Sequence, residues 1–270
     1  MRATRQMPSI AGLALFDTCV TLGRSCMQSV PEYLTPENVL AVMDKYDIAE
    51  ALVHYNDARL VRPRRVGNER LLREVGGCDR LHPVWVLEPP KRPDPSGARQ
   101  MVEEMLSAGV RAARLMMGHA PPLHWAWKDL CEALEAHRVV CLLDFAPVRA
   151  AGTNCVPASL MLDKLLEICL AHGELPMILS HHSGGLGVSW PTLPMMHRAG
   201  NLLIDTTGVV DYWREVARDL GPERVVFATG MPFYDPSVFV ANVQYDETLD
   251  APAKKLMCGD NLRRLLEGVR

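Results

Sequence analysis

The chain reads as an α/β protein, a closed (β/α)8 TIM barrel, on three observations. Short apolar segments alternate with amphipathic helical stretches eight times, in about 34 residues per unit. Segments such as 138–143 and 176–179 are apolar on both faces, as parallel strands covered by helices require. No Gly-x-Gly-x-x-Gly follows the first strand, so the rival open sheet, a dinucleotide-binding fold, lacks its marker.

The predicted strands are 13–18, 50–55, 82–88, 111–116, 138–144, 175–181, 201–206 and 223–229. Helical period falls between them at 36–46, 68–76, 96–108, 127–136, 158–171, 190–198 and 211–220, and after the last strand at 236–244, 252–257 and 260–266. Thr35-Pro36-Glu37 supplies an N-cap, a proline at the first helical position and a carboxylate in the first turn. Pro157-Ala158-Ser159 and Asp235-Pro236-Ser237 open later helices in the same way, while Gly109 and Gly173 close others. The proline-rich run from Glu88 to Pro95 reads as one long loop. Trp125 and Trp127 are expected to pack a helix onto its neighbours or onto a partner subunit. With no linker or low-complexity break, residues 1–270 are read as one domain.

Composition narrows the function classes. Hydrophobic residues make up 48% and charged residues 23%, which excludes a disordered chain and a membrane protein. A formal net charge of −3 gives no general attraction to nucleic acid or anionic lipid. The expected partner is therefore a small molecule, and a homodimer is the common expectation for such barrels. The eight cysteines are scattered without a CxxC pair, and several sit inside apolar runs, as in Val140-Cys141-Leu142-Leu143. That pattern suits a reduced, cytoplasmic protein using thiols as small buried side chains. Arg2, Arg5 and the apolar run 10–16 resemble a weak signal peptide, but the run is short and is needed as the first strand, so export is not expected.

In a (β/α)8 barrel the chemistry sits at the C-terminal ends of the strands. That rule selects Asp17, Cys19 and Thr21 after strand one, and His54 and Asn56 after strand two. It adds Glu88, Met117, His119, Asp144, His181 and His182 in the middle of the chain, and Asp205, Thr206, Thr207, Thr229 and Gly230 towards its end. Asp17, Cys19 and Thr21 are expected on one face, because side chains alternate with a period of two. Asp144, within Leu142-Leu143-Asp144-Phe145, is a carboxylate in apolar surroundings; either desolvation raises its pKa and makes it a general base, or it pairs with an arginine such as Arg114. Neighbours on a strand point to opposite faces, so only one of His181 and His182 can line the pocket. Arg59, Arg62, Arg64 and Arg65 cluster beyond strand two, either to draw an anionic substrate or as a solvated loop.

The segments at these positions, in this order, resemble the amidohydrolase-related family of the amidohydrolase superfamily. Gly109-Val110-Arg111-Ala112-Ala113-Arg114-Leu115 resembles its fourth strand, and Leu179-Ser180-His181-His182-Ser183-Gly184-Gly185 its sixth. Asn201–Gly208 resembles the seventh strand, Gly221–Pro232 the eighth, and Asn261-Leu262-Arg263-Arg264-Leu265-Leu266 the closing helix. The resemblance implies a metal held by two histidines of strand one, one each of strands five and six, and an aspartate of strand eight. At those places this chain carries Cys19, Thr21, Asp144, one of His181 and His182, and Gly230. The resemblance so altered implies a hydrolase for an amide, ester or lactone of a small carboxylated molecule, working with no cofactor. Asp144, His181 and His182 would be its catalytic groups, and Asp17, Cys19, Thr21, His54, Arg114 and Thr229 its substrate contacts. Two other readings stand beside it. One is a silent barrel that binds a metabolite or serves as a subunit; the other is a metal-dependent hydrolase or decarboxylase, with zinc rearranged onto Cys19, Asp144 and a strand-six histidine.

Overall fold

A computed structural model describes residues 10, 12–23, 35–117, 120, 122–145, 158–180, 192–207 and 212–270. Eight parallel strands follow one another in sheet order β1 to β8. They are β1 (Leu15–Leu22), β2 (Ile48–Tyr55), β3 (Leu81–Leu87), β4 (Ala112–Leu115), β5 (Val140–Leu143), β6 (Met177–Leu179), β7 (Leu202–Asp205) and β8 (Val225–Val226). The two ends of the sheet meet through backbone hydrogen bonds from Thr18 N to Phe227 O at 2.9 Å and from Thr21 N to Met231 O at 3.0 Å. The helices are α1 (Pro36–Lys45), α2 (Asn56–Leu60), α3 (Arg64–Val75), α4 (Pro95–Ser107), α5 (His124–Ala136) and α6 (Ala158–Ala171). They continue with α7 (Thr192–Arg198), α8 (Tyr212–Leu220), α9 (Pro236–Gln244), α10 (Ala251–Lys255) and α11 (Asn261–Glu267). Among the described residues no helix is long and apolar enough to cross a membrane.

Local sequence explains the element starts. Thr35 caps α1 by accepting from Asn38 N, and Asp235 caps α9 by accepting from Ser237 N at 2.9 Å. Gly109 ends α4 with a φ of 79°, a left-handed turn that side chains resist. β8, α2 and α3 depart from the sequence pattern, and β1 runs over Leu15–Leu22 where 13–18 is expected. The eighth strand is expected over 223–229, yet its ladder holds only Val225–Val226. Beyond it the Thr206 hydroxyl donates to Ala228 O at 2.8 Å and accepts from Ala228 N at 2.9 Å, so a side chain replaces the ladder. Helix α2 was not foreseen at all, and α3 begins four residues before the expected 68. Within α3, Gly67 is a contact point: a Cβ there would lie 2.4 Å from Ala58 N, so only glycine lets α3 close on α2.

Two concentric layers form the core. Phe16, Leu52, Val84, Ala112, Val140, Leu142, Ile178, Leu203 and Val226 make the inner cluster, floored by Leu262 of α11. The alternate strand residues, including Ala113, Cys141, Met177 and Leu202, join the outer layer beneath the helices. Trp127 is fully buried there and donates to Ala120 O at 3.1 Å. Trp125 is 76% exposed, so the expectation that it packs against a neighbouring helix is corrected: it starts α5 on the solvent side.

Candidate active site at the barrel mouth

The inner cluster fixes what the mouth presents. Two residues beyond an inner-layer side chain the same face recurs. That step leads from Leu52 to His54, Ala112 to Arg114, Leu142 to Asp144, Ile178 to Ser180, and Leu203 to Asp205. Five strands thus change from apolar to polar at one level, and all five polar residues are buried. A buried polar layer over an apolar floor is the arrangement in which such barrels carry out chemistry.

Strand β1 breaks the pattern. Its pairing with β2 shifts register between Asp17 and Val20, and Phe16 joins the inner cluster while Leu15, Val20 and Leu22 join the outer. Strict alternation would place Phe16, Val20 and Leu22 together, so a bulge reverses the strand's faces between them. The expectation that Asp17, Cys19 and Thr21 share one face by simple alternation is corrected accordingly. Asp17 reaches across the β1–β8 seam, where Oδ1 accepts from Cys19 N and Thr229 N, both at 3.0 Å, and Oδ2 accepts from the Thr229 hydroxyl. Burial pushes its carboxyl up to about 7, against these hydrogen bonds. Asp17 and Thr229 therefore close the barrel. Thr21 Oγ1 meets His54 Nε2 at 3.1 Å, so these two candidates pair with each other across β1 and β2.

The centre of the mouth is an ionic cluster. Asp144 Oδ2 accepts from Arg114 Nε and from Arg59 Nε, each at 2.8 Å. Although burial alone would raise it, the two guanidinium groups hold the Asp144 carboxyl well below the usual carboxylate range. The general base with a raised pKa is thereby corrected: the arginine pairing weighed against it is what the barrel contains. Arg114 Nη1 also donates to Cys19 Sγ at 3.4 Å. Burial pushes the Cys19 thiol up to about 11, so it stays protonated near neutrality and is no thiolate nucleophile.

Among the described residues, three polar atoms of this layer have no hydrogen-bond partner: Arg114 Nη2, Ser180 Oγ and Asp205 Oδ2. Their residues are at most 2% exposed. Asp205 Oδ1 is occupied, accepting from Thr207 N at 3.0 Å and from the Thr207 hydroxyl. Burial raises the Asp205 carboxyl, while the Ser180 and Thr207 hydroxyls and the charge of Arg114 pull it back. Ser180 is near enough to weigh on that proton without making a hydrogen bond of acceptable geometry.

Of the sequence-predicted residues, Cys19, Arg114 and Asp144 converge, Asp17 and Thr229 form the seam, and Thr21 and His54 form a side pair. His181 and His182 lie outside the described residues, as do His119 and the glycines 184, 185 and 187. The arginine cluster divides. Arg59, delivered by α2, enters the mouth, but Arg62 and Arg64 bind Glu88 at 2.8 and 3.2 Å, and exposed Arg65 binds Glu69. The cluster as a whole therefore does not face a substrate, and Glu88 serves to anchor the loop arginines. Ser180 was missed as a site residue, and Asp205 was noted only as a strand end. The signal that finds both is the step of two from the apolar inner layer.

The fit of the family's metal can be tested on these contacts. Cys19 and Asp144, two of the matched positions, are both bound by Arg114. Thr21 is engaged by His54, and Gly230 has a left-handed φ of 68° where the family carries its aspartate. A divalent cation between Cys19 and Asp144 would sit against a guanidinium and be repelled. Among the described residues no three His, Cys, Asp or Glu side chains gather to hold a metal. The described residues of the set, Cys19, Thr21, Asp144 and Gly230, do not fit the metal.

The strands and the helices between them define a (β/α)8 barrel. A model of the amidohydrolase family matches residues 41–268, and the chain belongs to that family. No curated protein matches it. Among solved structures it is similar to 5-carboxyvanillate decarboxylase from Sphingomonas paucimobilis, with a TM-score of 0.70 and 16% identity over 96% of this chain and 100% of that one. It is also similar to 2,6-dihydroxybenzoate decarboxylase from Rhizobium, with a TM-score of 0.70 and 17% identity over 94% and 98%. A dihydroxybenzoic acid decarboxylase from Polaromonas with bound manganese gives 0.69 and 12% over 94% and 97%. At these identities the likeness is one of fold.

Proposed function

We propose that this member of the amidohydrolase superfamily decarboxylates a small carboxylated molecule. The observation that carries the reading is Asp205, a fully buried carboxyl with a raised pKa and one oxygen left unbonded at the mouth. A carboxyl shifted in that direction and with an oxygen to spare is placed to handle a proton, and an anionic substrate beside it raises its pKa further. The decarboxylases of similar fold support the choice of reaction. Hydrolysis of an amide, ester or lactone fits less well. It needs a base to activate water, and Asp144, the one of its three candidate bases among the described residues, is neutralised by two arginines.

In the proposed reaction Asp205 delivers its proton to the carbon that bears the carboxylate. The carbon–carboxylate bond then breaks, its electron pair returns to that carbon, and CO2 leaves. Asp205 recovers a proton from water. Arg114 and Arg59, fixed by Asp144, keep the mouth positive where the substrate's negative charge resides before the bond breaks. No step is assigned to a metal.

The test is CO2 release from a panel of hydroxylated benzoates and other arylcarboxylates by untagged protein. Turnover is expected, with Asp205→Asn slowed by at least about a hundredfold. Hydrolysis of an amide, ester or lactone panel without CO2 release would replace this reading by the hydrolase. Tight binding of a carboxylate with neither reaction would replace it by the silent binder.

A further inference from the structure

We infer that the cation of this site is the Arg114 guanidinium, standing where the family's metal would stand, and that its unbonded Nη2 binds a carboxylate directly together with Ser180 Oγ. Two positions that match the family's metal ligands, Cys19 and Asp144, turn to Arg114 instead: Sγ lies 3.4 Å from Nη1 and Oδ2 lies 2.8 Å from Nε. A monovalent, planar cation has been built into the barrel wall from β4, with a carboxylate on one edge and a thiol on another.

The third edge points to a ligand. Arg114 is fully buried, and Nη2 makes no hydrogen bond. A buried donor without a partner is costly, more so when charged, so folded proteins seldom leave one unless something else completes it. A similar want appears just beyond β6, where Ser180 Oγ is buried and, though close to the Asp205 carboxyl, makes no hydrogen bond of acceptable geometry among the described residues. These two strands enclose β5, whose Asp144 already fixes the guanidinium plane. An N–H from Arg114 and an O–H from Ser180, both donors, suit the two oxygens of one carboxylate.

Asp144 is a positioning residue in this arrangement. Oriented by Asp144 and by Cys19, the guanidinium keeps one N–H edge for the ligand without reorganisation when the ligand arrives. Arg59 shares the same carboxylate oxygen, so the two guanidinium groups and Asp144 together carry one positive charge in excess, with Asp205 the other acidic group near Arg114. That excess favours an anionic ligand over a neutral one and opposes a second cation.

The inference deepens the decarboxylase reading by naming the cation and the substrate handle of that site, yet it is tested without turnover. Benzoate and benzamide are titrated calorimetrically into untagged protein, before and after dialysis against a chelator. Metal content is measured as purified and after equilibration with zinc and with manganese. The expected results are benzoate binding that survives chelation, benzamide binding at least about tenfold weaker, and far less than one metal ion per chain. Ser180→Ala should weaken benzoate about tenfold, and Arg114→Met at least about thirtyfold. Should Arg114→Met fail to fold, Ser180→Ala with the benzamide comparison carries the decision. Stoichiometric metal that resists dialysis, loss of benzoate binding on chelation, or equal binding of benzoate and benzamide would each overturn the inference. Absence of CO2 release with benzoate binding intact would retire the decarboxylase reading alone.

Discussion

The two ends of this barrel are both charged, and they are charged in opposite ways. At the foot, Arg263 holds Glu50 through Nε and Nη2 at 2.9 and 2.8 Å and donates to Ala14 O, while His82 meets the other Glu50 oxygen at 2.8 Å. These side chains are about a quarter to a third exposed. At the mouth, Arg114 and Asp144 are sealed from solvent, and buried polar atoms beside them go unbonded. The foot completes its hydrogen bonds within the chain and ties α11 to β1 and β2. The mouth withholds some of its own. The foot is thus a tie shared with solvent, and the mouth is a dry, incompletely bonded layer at the end where such barrels carry their chemistry.

The largest effect that can break this contrast is expected at Arg114. Arg114→Met leaves the buried Asp144 with Arg59 alone, and a cost of about 3 kcal/mol in urea unfolding is expected. A loss below 1 kcal/mol would mean that the mouth is far wetter than its burial indicates.

The seam sharpens the contrast through pH. Asp17 has a carboxyl raised from 3.8 to about 7. Below pH 4 both folded and unfolded states hold its proton, and the folded state is not penalised. Between pH 4 and 7 the unfolded chain releases the proton first, so stability falls as pH rises and stays low above 7, by up to a few kcal/mol. Asp17→Asn mimics the protonated form, since its oxygen can serve Cys19 N and Thr229 N and its amide can donate to the Thr229 hydroxyl. The difference between wild type and variant, followed by denaturant unfolding from pH 4 to 8, should grow in favour of the variant. A difference that does not change with pH would remove Asp17 from the titrating set.

Smaller effects belong to the foot. Arg263→Ala should cost about 1 kcal/mol, because a partly exposed pair and one backbone contact are lost to water that can replace them. A cost equal to that of Arg114→Met would erase the distinction between the ends. Arg65→Ala, which removes an exposed pair with Glu69 on α3, should change stability by less than about 0.5 kcal/mol. The same thermal or urea measurement reads both.

The order of strands and helices was legible in the sequence because each apolar strand and each capped helix is a local pattern. Thr35, Asp235 and Gly109 do in the fold what their types dictate anywhere. The strand-end rule also put Cys19 and Asp144 onto one short list, and Arg114 entered as the arginine that could pair with Asp144. The sequence could not show that Asp144 is held ionised rather than raised. That outcome depends on Arg59, carried in by a five-residue helix from 85 positions away. Nor could it show that β1 reverses its faces, since a bulge is set by pairing with β2 and by the seam to β8. Local order follows from side-chain period and capping, which act over a few residues. Charge states and unbonded donors follow from which distant groups share a dry space, and only the closed barrel decides that.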